Sequence, residues 1–233
     1  MSKYDSLIGQ PGLERTSQAF RRALVAAAQE IGTEPDYLAT VIAFESGGTF
    51  DSAVRNPLSA CVGLIQFCGP AAIAAASRAG HSMSKGDAQS WLAAMTPEEQ
   101  LLHVVRYFLV RSKGKRDLTL EQTYLLVFAP AHAFKDLGAA AYSRGTREYT
   151  QNEKMDLDND GRITVGDISK KIRSKYDAAT SRPRVPVEGG SADVADLATA
   201  GVGGSTSGKY LAIVAGTTLG YYVISQYVGK RRA

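Results

Sequence analysis

Apolar positions in this chain recur mainly at helical spacing. Phe20, Leu24, Ala27, Ala28 and Ile31 fall on one stripe of a 3.6-residue period, which predicts an amphipathic helix over 17–31. Leu38, Val41 and Ile42 make a second stripe, predicting a helix over about 34–46 that Thr33 and Asp36 open as a capping box and Gly47 and Gly48 stop. A third helical run starts at Pro70 and extends to residue 79. Thr96 with Pro97 and Glu99, then Thr119 with Gln122, carry the signatures of two more helix starts. Leu101, Leu102, Val105, Phe108 and Leu109 supply an inward face for the first of these, and Tyr124, Leu125 and Phe128 for the second. Only between 51 and 69 do Pro57 and several small residues break the pattern, leaving 62–67 as a short strand or extended wall. The expected fold class is mainly α.

One charge interrupts the second stripe. Glu45 stands seven, four and three residues after Leu38, Val41 and Ile42, so its carboxyl shares their face in the last turn of the helix. Apolar surroundings push a carboxyl toward its protonated form, the state a general acid needs near neutral pH. A helix-end glutamate that merely reaches solvent is the alternative. Gln66, the sole polar side chain in Leu64-Ile65-Gln66-Phe67, reads either as a sugar contact or as a prop for the backbone near Glu45. Trp91, the only tryptophan, reads as a core residue rather than a sugar-stacking platform.

The formal net charge is +4, yet residues 1–180 carry 21 basic against 20 acidic residues. Much of the surplus lies in Lys230, Arg231 and Arg232, so the body has no phosphate-binding excess and no direct nucleic-acid binding is expected. The chain shows no secretory signal pattern at its start. Cys61 and Cys68 flank the Gly63–Phe67 stretch and are expected as free packed thiols ahead of a bridge, and the scattered His81, His103 and His132 give no zinc spacing.

Residues 156–167 read DLDNDGRITVGD. Asp156, Asp158 and Asp160 hold positions one, three and five of a calcium loop, the Arg162 carbonyl position seven and Asp167 position twelve, with Gly161 at the turn and Ile163 facing the core. Calcium is a hard cation that takes several oxygens, which gives the alternation of carboxylates a chemical reason. Asp167 replaces the usual longer glutamate. Beyond residue 180 the composition shifts to Pro, Gly, Ser and Ala, predicting a flexible linker over 181–208. Residues 210–229 then hold no charge, long enough as a helix to span a bilayer, and basic residues follow. A packed helix is the alternative for this stretch.

Glu45-Ser46-Gly47-Gly48 with Phe50, followed by Gly63-Leu64-Ile65-Gln66-Phe67, resembles the paired motifs of lytic transglycosylases in the goose-lysozyme-like superfamily, especially those on phage structural proteins. The resemblance covers about 17–175, runs weakly to Leu126-Val127-Phe128-Ala129-Pro130, and in the phage branch takes in the aspartate loop. It departs in the third motif, where Phe128-Ala129-Pro130-Ala131 stands in place of a Tyr-Asn-Ala-Gly sequence. It implies a lysozyme-like domain over 1–180, with Glu45 catalytic and Ser46, Gln66, Phe67 and Phe128 touching substrate. It implies glycan strands of peptidoglycan as that substrate, cut with a 1,6-anhydromuramyl product. The expected setting is a phage virion acting at the host envelope, tethered to a viral or bacterial membrane through 209–233 and in contact with virion structural proteins. Calcium would be structural, and catalysis would need no cofactor. The alternatives are a hydrolytic lysozyme, with Asp51 positioning water, and a noncatalytic virion or membrane protein that binds cell-wall glycan.

Overall fold

The computed structural model describes residues 4–57 and 59–189. The predicted linker beyond 189 and the predicted membrane span at 210–229 lie outside the described residues. Among the described residues no helix is long and apolar enough to cross a membrane.

Eight α-helices dominate the described residues: α1 (Gln18–Ile31), α2 (Pro35–Glu45), α3 (Gly69–Arg78), α4 (Lys85–Ala93), α5 (Pro97–Ser112), α6 (Leu120–Phe128), α7 (Arg147–Asn152) and α8 (Val165–Thr180). The fold is thus mainly α, as the periodicity predicts. Two short antiparallel ribbons accompany them. Strand β1 (Ser6–Leu7) pairs with β4 (Val185–Pro186), and β2 (Ala140–Ser143) pairs with β3 (Arg162–Thr164) across a register shift.

Helix α1 lies at the centre, packed on α2 and α5. Its predicted stripe is fully buried, but so are Ala23, Val25 and Ala26, so solvent is excluded from most of its circumference. Ser17 caps it by accepting from the Phe20 amide at 2.8 Å. Thr96 and Thr119 cap α5 and α6 with both reciprocal bonds of a capping box in place. Helices α3 and α4 pack on each other on one side of the molecule, while α6 and α8 pack on each other and on α2.

Three expectations need correction. Thr33 does not cap α2, whose N-cap position is Glu34, with no side-chain cap bond. The Thr33 hydroxyl instead bonds Leu118 and Thr123, and the Asp36 carboxylate takes the Ile8 amide and the Arg184 guanidinium. Pro35 at the first helical position, which has no amide hydrogen to satisfy, makes a side-chain cap less necessary. Residues 181–189 are not linker: β4 seats them on the body, and the Glu188 amide donates to Gln18. Cys61 and Cys68 are joined in a disulfide, with Cα atoms 4.3 Å apart.

Candidate active site

Helix α2 delivers Glu45 as its last residue, and the chain reverses at once through Gly47 and Gly48, both at positive φ. The reversal packs so tightly on the 11–12 segment that a Cβ on Gly12 would meet the Gly48 carbonyl oxygen at 1.8 Å. Position 12 therefore admits only glycine while the turn keeps its shape. Ser46 is buried, and its hydroxyl accepts the Phe50 amide at 3.2 Å. The structure thus uses Ser46 to brace the turn rather than to present a hydroxyl outward.

Glu45 is half-buried, and burial alone pushes its carboxyl up to about 7. Among the described residues no hydrogen bond or cation offsets that shift. Tyr107 of α5 and Tyr124 of α6 stand close enough to feel it: burial first raises both phenols, Tyr107 to about 12, and a Glu45 charge raises each further. From Tyr124 an aromatic wall continues both ways. Phe44 meets the ring edge to face at 5.2 Å, and Phe128 stacks on it at 5.6 Å and 17°. Phe44 and Phe128 are only half-buried, so each leaves part of its ring for a ligand.

The second sequence motif forms a tight turn rather than a strand. Val62 and Phe67 exchange backbone bonds at 3.3 and 2.8 Å, and the Cys61–Cys68 bridge closes the mouth one residue further out. Gln66 occupies the left-handed region at φ 51°, a conformation costing an ordinary residue about 1 kcal/mol. Its Nε2 donates to the Gly63 carbonyl at 3.1 Å, while its Oε1 is buried with no donor. Phe67 is 1 % exposed and meets Tyr107 edge to face at 5.9 Å, so it supports the Glu45 neighbourhood from beneath rather than facing a sugar.

Gln100, which the sequence reading passes over, fixes this turn from α5. It is wholly buried: Oε1 accepts the Leu64 amide at 2.7 Å, and Nε2 donates to the Ser52 and Leu92 carbonyls at 3.1 and 2.9 Å. A Cβ on Gly63 would lie 2.2 Å from Gln100 Oε1, and Gly63 also has φ 84°. The glycine of the motif is therefore required twice. Asp51 is exposed and turns its carboxylate to the Ala53 amide at 2.8 Å.

Trp91 is partly buried and lies edge on to His81 at 5.2 Å and His103 at 4.9 Å. Burial and then the neighbouring Arg106 charge lower His103 to about 3, so this histidine stays neutral and serves packing. No family model, curated protein or solved structure matches this chain. What the site can do therefore rests on its own geometry.

The aspartate loop is a separate centre. One oxygen from each of Asp156, Asp158 and Asp160 lies within 4.8 Å of the others, a spacing that oxygens around one calcium ion at 2.3–2.6 Å can meet. Asp156 Oδ2 accepts from the Tyr149 hydroxyl at 2.6 Å and the Gly161 amide at 2.9 Å, whereas its Oδ1 is buried with no partner. An orphaned carboxylate oxygen beside two further carboxylates fits a cation. Arg162 donates its amide to Asp160 Oδ1 at 2.7 Å, and Ile163 is wholly buried as the loop pattern predicts. Asp167 is drawn elsewhere: Oδ2 completes the α8 capping box with Thr164, and Oδ1 pairs with Lys170 at 3.0 Å. The Thr164-to-Asp167 spacing is itself a cap signature visible in the sequence.

Proposed function

We propose that the protein is a peptidoglycan lytic transglycosylase built on a lysozyme-like domain, with Glu45 as the acid and then the base. The observation that carries this reading is the Glu45 carboxyl: held at a helix end, half-buried among aromatic rings, unpaired, and pushed to about 7. A glutamic acid in that state is about half protonated at neutrality and increasingly so below it, and the protonated form donates to the glycosidic oxygen as the bond to the anomeric carbon breaks. The resulting carboxylate then accepts the proton of the muramyl C6 hydroxyl while that oxygen closes on the anomeric carbon. The ring so formed is the 1,6-anhydro end, and no water is consumed.

An inverting or retaining hydrolase would need a second carboxylate across the bond. The nearby candidate in sequence, Asp51, holds its own loop instead, which favours the lyase over the lysozyme alternative. In this reading the half-buried Phe128 ring stacks against a sugar, and Gln66 holds the Gly63–Phe67 turn beside Glu45 through its bond to the Gly63 carbonyl. Ser46 and Phe67 act beneath the site rather than in contact with substrate.

Asp156, Asp158 and Asp160 hold a structural Ca²⁺ in the same proposal, with the Arg162 carbonyl as a further ligand and Asp167 reduced to capping α8. The cation supplies no chemistry at Glu45. The setting is a phage virion acting at the host envelope, with 209–233 as membrane anchor. Flotation with liposomes before and after truncation following Ser207 tests the anchor. Digestion of purified sacculi followed by mass analysis of the released ends tests the activity. Anhydromuramyl ends are expected, reducing muramyl ends would select hydrolysis, and no released ends would refute the enzyme.

A further inference from the structure

A cleft of about 400 Å³ opens beside the Gly47–Gly48 turn, between the end of α2 and the last turns of α8. Phe44 and Ala178 give it an apolar floor, and Lys175 and Arg182 stand on its wall. Gly47 contributes no side chain, and a Cβ there would meet nothing within 4 Å, so the turn leaves the entrance clear. The two cations are exposed and, among the described residues, neither meets a carboxylate. Their neighbours differ: Lys170 pairs with Asp167, Arg173 with Glu121 and Arg184 with Asp36. Of the six cations from 170 to 184, three pair with carboxylates of the described residues, Lys171 stands away from the cleft, and Lys175 and Arg182 are brought to the rim of one cavity.

We propose that this cleft binds the carboxylate-bearing peptide stem of the peptidoglycan strand. The proposal rests on the glycan-cleaving reading of Glu45, because Phe44 and Gly47, which line the cleft, flank Glu45 in the chain. N-acetylated sugars are neutral, so the charge of such a strand resides in the short peptides hung from its muramyl residues. Those peptides combine alanine methyl groups with free carboxylates. The apolar floor accepts the first and the Lys175–Arg182 pair the second. Glu45 itself does not line the cleft, so a stem held there would add binding energy remote from the bond being cut.

The test uses the full-length protein and a Lys175→Glu/Arg182→Glu variant on two substrates: intact sacculi, and the same glycan freed of stems by an amidase. The wild-type preference for stem-bearing strands, read as the ratio of kcat/KM values, should fall about tenfold in the variant, or about 1.4 kcal/mol. An unchanged ratio overturns the proposal. A second measurement needs no turnover. Calorimetry of Glu45→Gln protein with an isolated anionic stem peptide should give saturable binding that the charge reversal removes and that equimolar acetate does not reproduce. No binding, or equal binding of acetate, defeats the stem site even where glycan cleavage stands. Stem binding by a wild-type protein that cuts no glycan would leave the cleft and remove the enzyme.

Discussion

Glu45 and Asp156 are both carboxyls withdrawn from solvent, yet their surroundings drive them in opposite directions. Around Glu45 there are tyrosine and phenylalanine rings, and among the described residues no hydrogen bond to its carboxyl offsets burial, so the acid holds its proton to about 7. Around Asp156 the Tyr149 hydroxyl donates first, and burial is outweighed by that bond together with the amides of the loop, so its pKa falls below the ordinary range. The lesson is that hydrogen-bond supply, more than depth, decides what a buried acid becomes. A starved carboxyl becomes a proton donor. A well-supplied carboxylate stays charged and waits for a cation.

The largest effect expected from breaking this contrast is at Glu45. Glu45→Gln should lower glycan cleavage by roughly 100-fold or more, with circular dichroism unchanged. The same variant should be more stable than wild type in alkali. A carboxyl raised from 4.5 to about 7 binds its proton more tightly folded than unfolded, so wild-type stability falls as pH rises through that window. The gain in the glutamine protein should approach about 3 kcal/mol above pH 7 and vanish below pH 4.5. Melting curves at pH 4 and pH 8 that shift equally would contradict it.

Next in size is Gln100→Leu. It leaves the Leu64 amide and the Ser52 and Leu92 carbonyls without partners, so destabilisation of about 2 kcal/mol or more is expected by urea titration. Turnover should fall through the displaced Gly63–Phe67 turn, while the alkaline shift of Glu45 persists.

At the aspartate loop, Ca²⁺ should raise the wild-type melting temperature and Asp158→Ala should remove that increment. Arg144 sharpens the comparison: its guanidinium lies 4.0 Å from Asp156 Oδ2 and opposes a second cation there. Arg144→Gln should therefore bind Ca²⁺ several-fold more tightly by calorimetry, and a weaker Kd would argue against the Asp156 site. The smallest expected effect is from reducing Cys61–Cys68. Amide exchange over 62–67 should quicken in the reduced protein, because the bridge holds the mouth of that turn. Equal protection in both forms would make the disulfide incidental.

Much of the helical frame was legible because its signals are local. Thr96 with Glu99 and Thr119 with Gln122 each contain both halves of their own capping box, so no distant residue had to be known. Thr33 and Asp36 show the limit, since the same spacing was claimed by Leu118, Thr123, Ile8 and Arg184 from up to 148 residues away. Glu45 stood out because a charge on an apolar stripe is anomalous in one helix. Tyr107 and Tyr124 did not, because they reach it only when α5 and α6 pack beside α2. The disulfide was missed for a similar reason: a spacing of seven closes only once Gln66 takes a left-handed conformation. Asp167 misled in the other direction, its place in the calcium pattern coinciding with a capping box that holds its carboxylate.

Titration of the two carboxyls by carbon-13 NMR in the folded protein, without added calcium, tests the central claim most directly. Glu45 should inflect near pH 7 and Asp156 below the ordinary carboxylate range. Should Glu45 titrate near 4.5, the ordinary value of a glutamate, it would be a charged, solvated helix end, and its role as the proton donor would be contradicted.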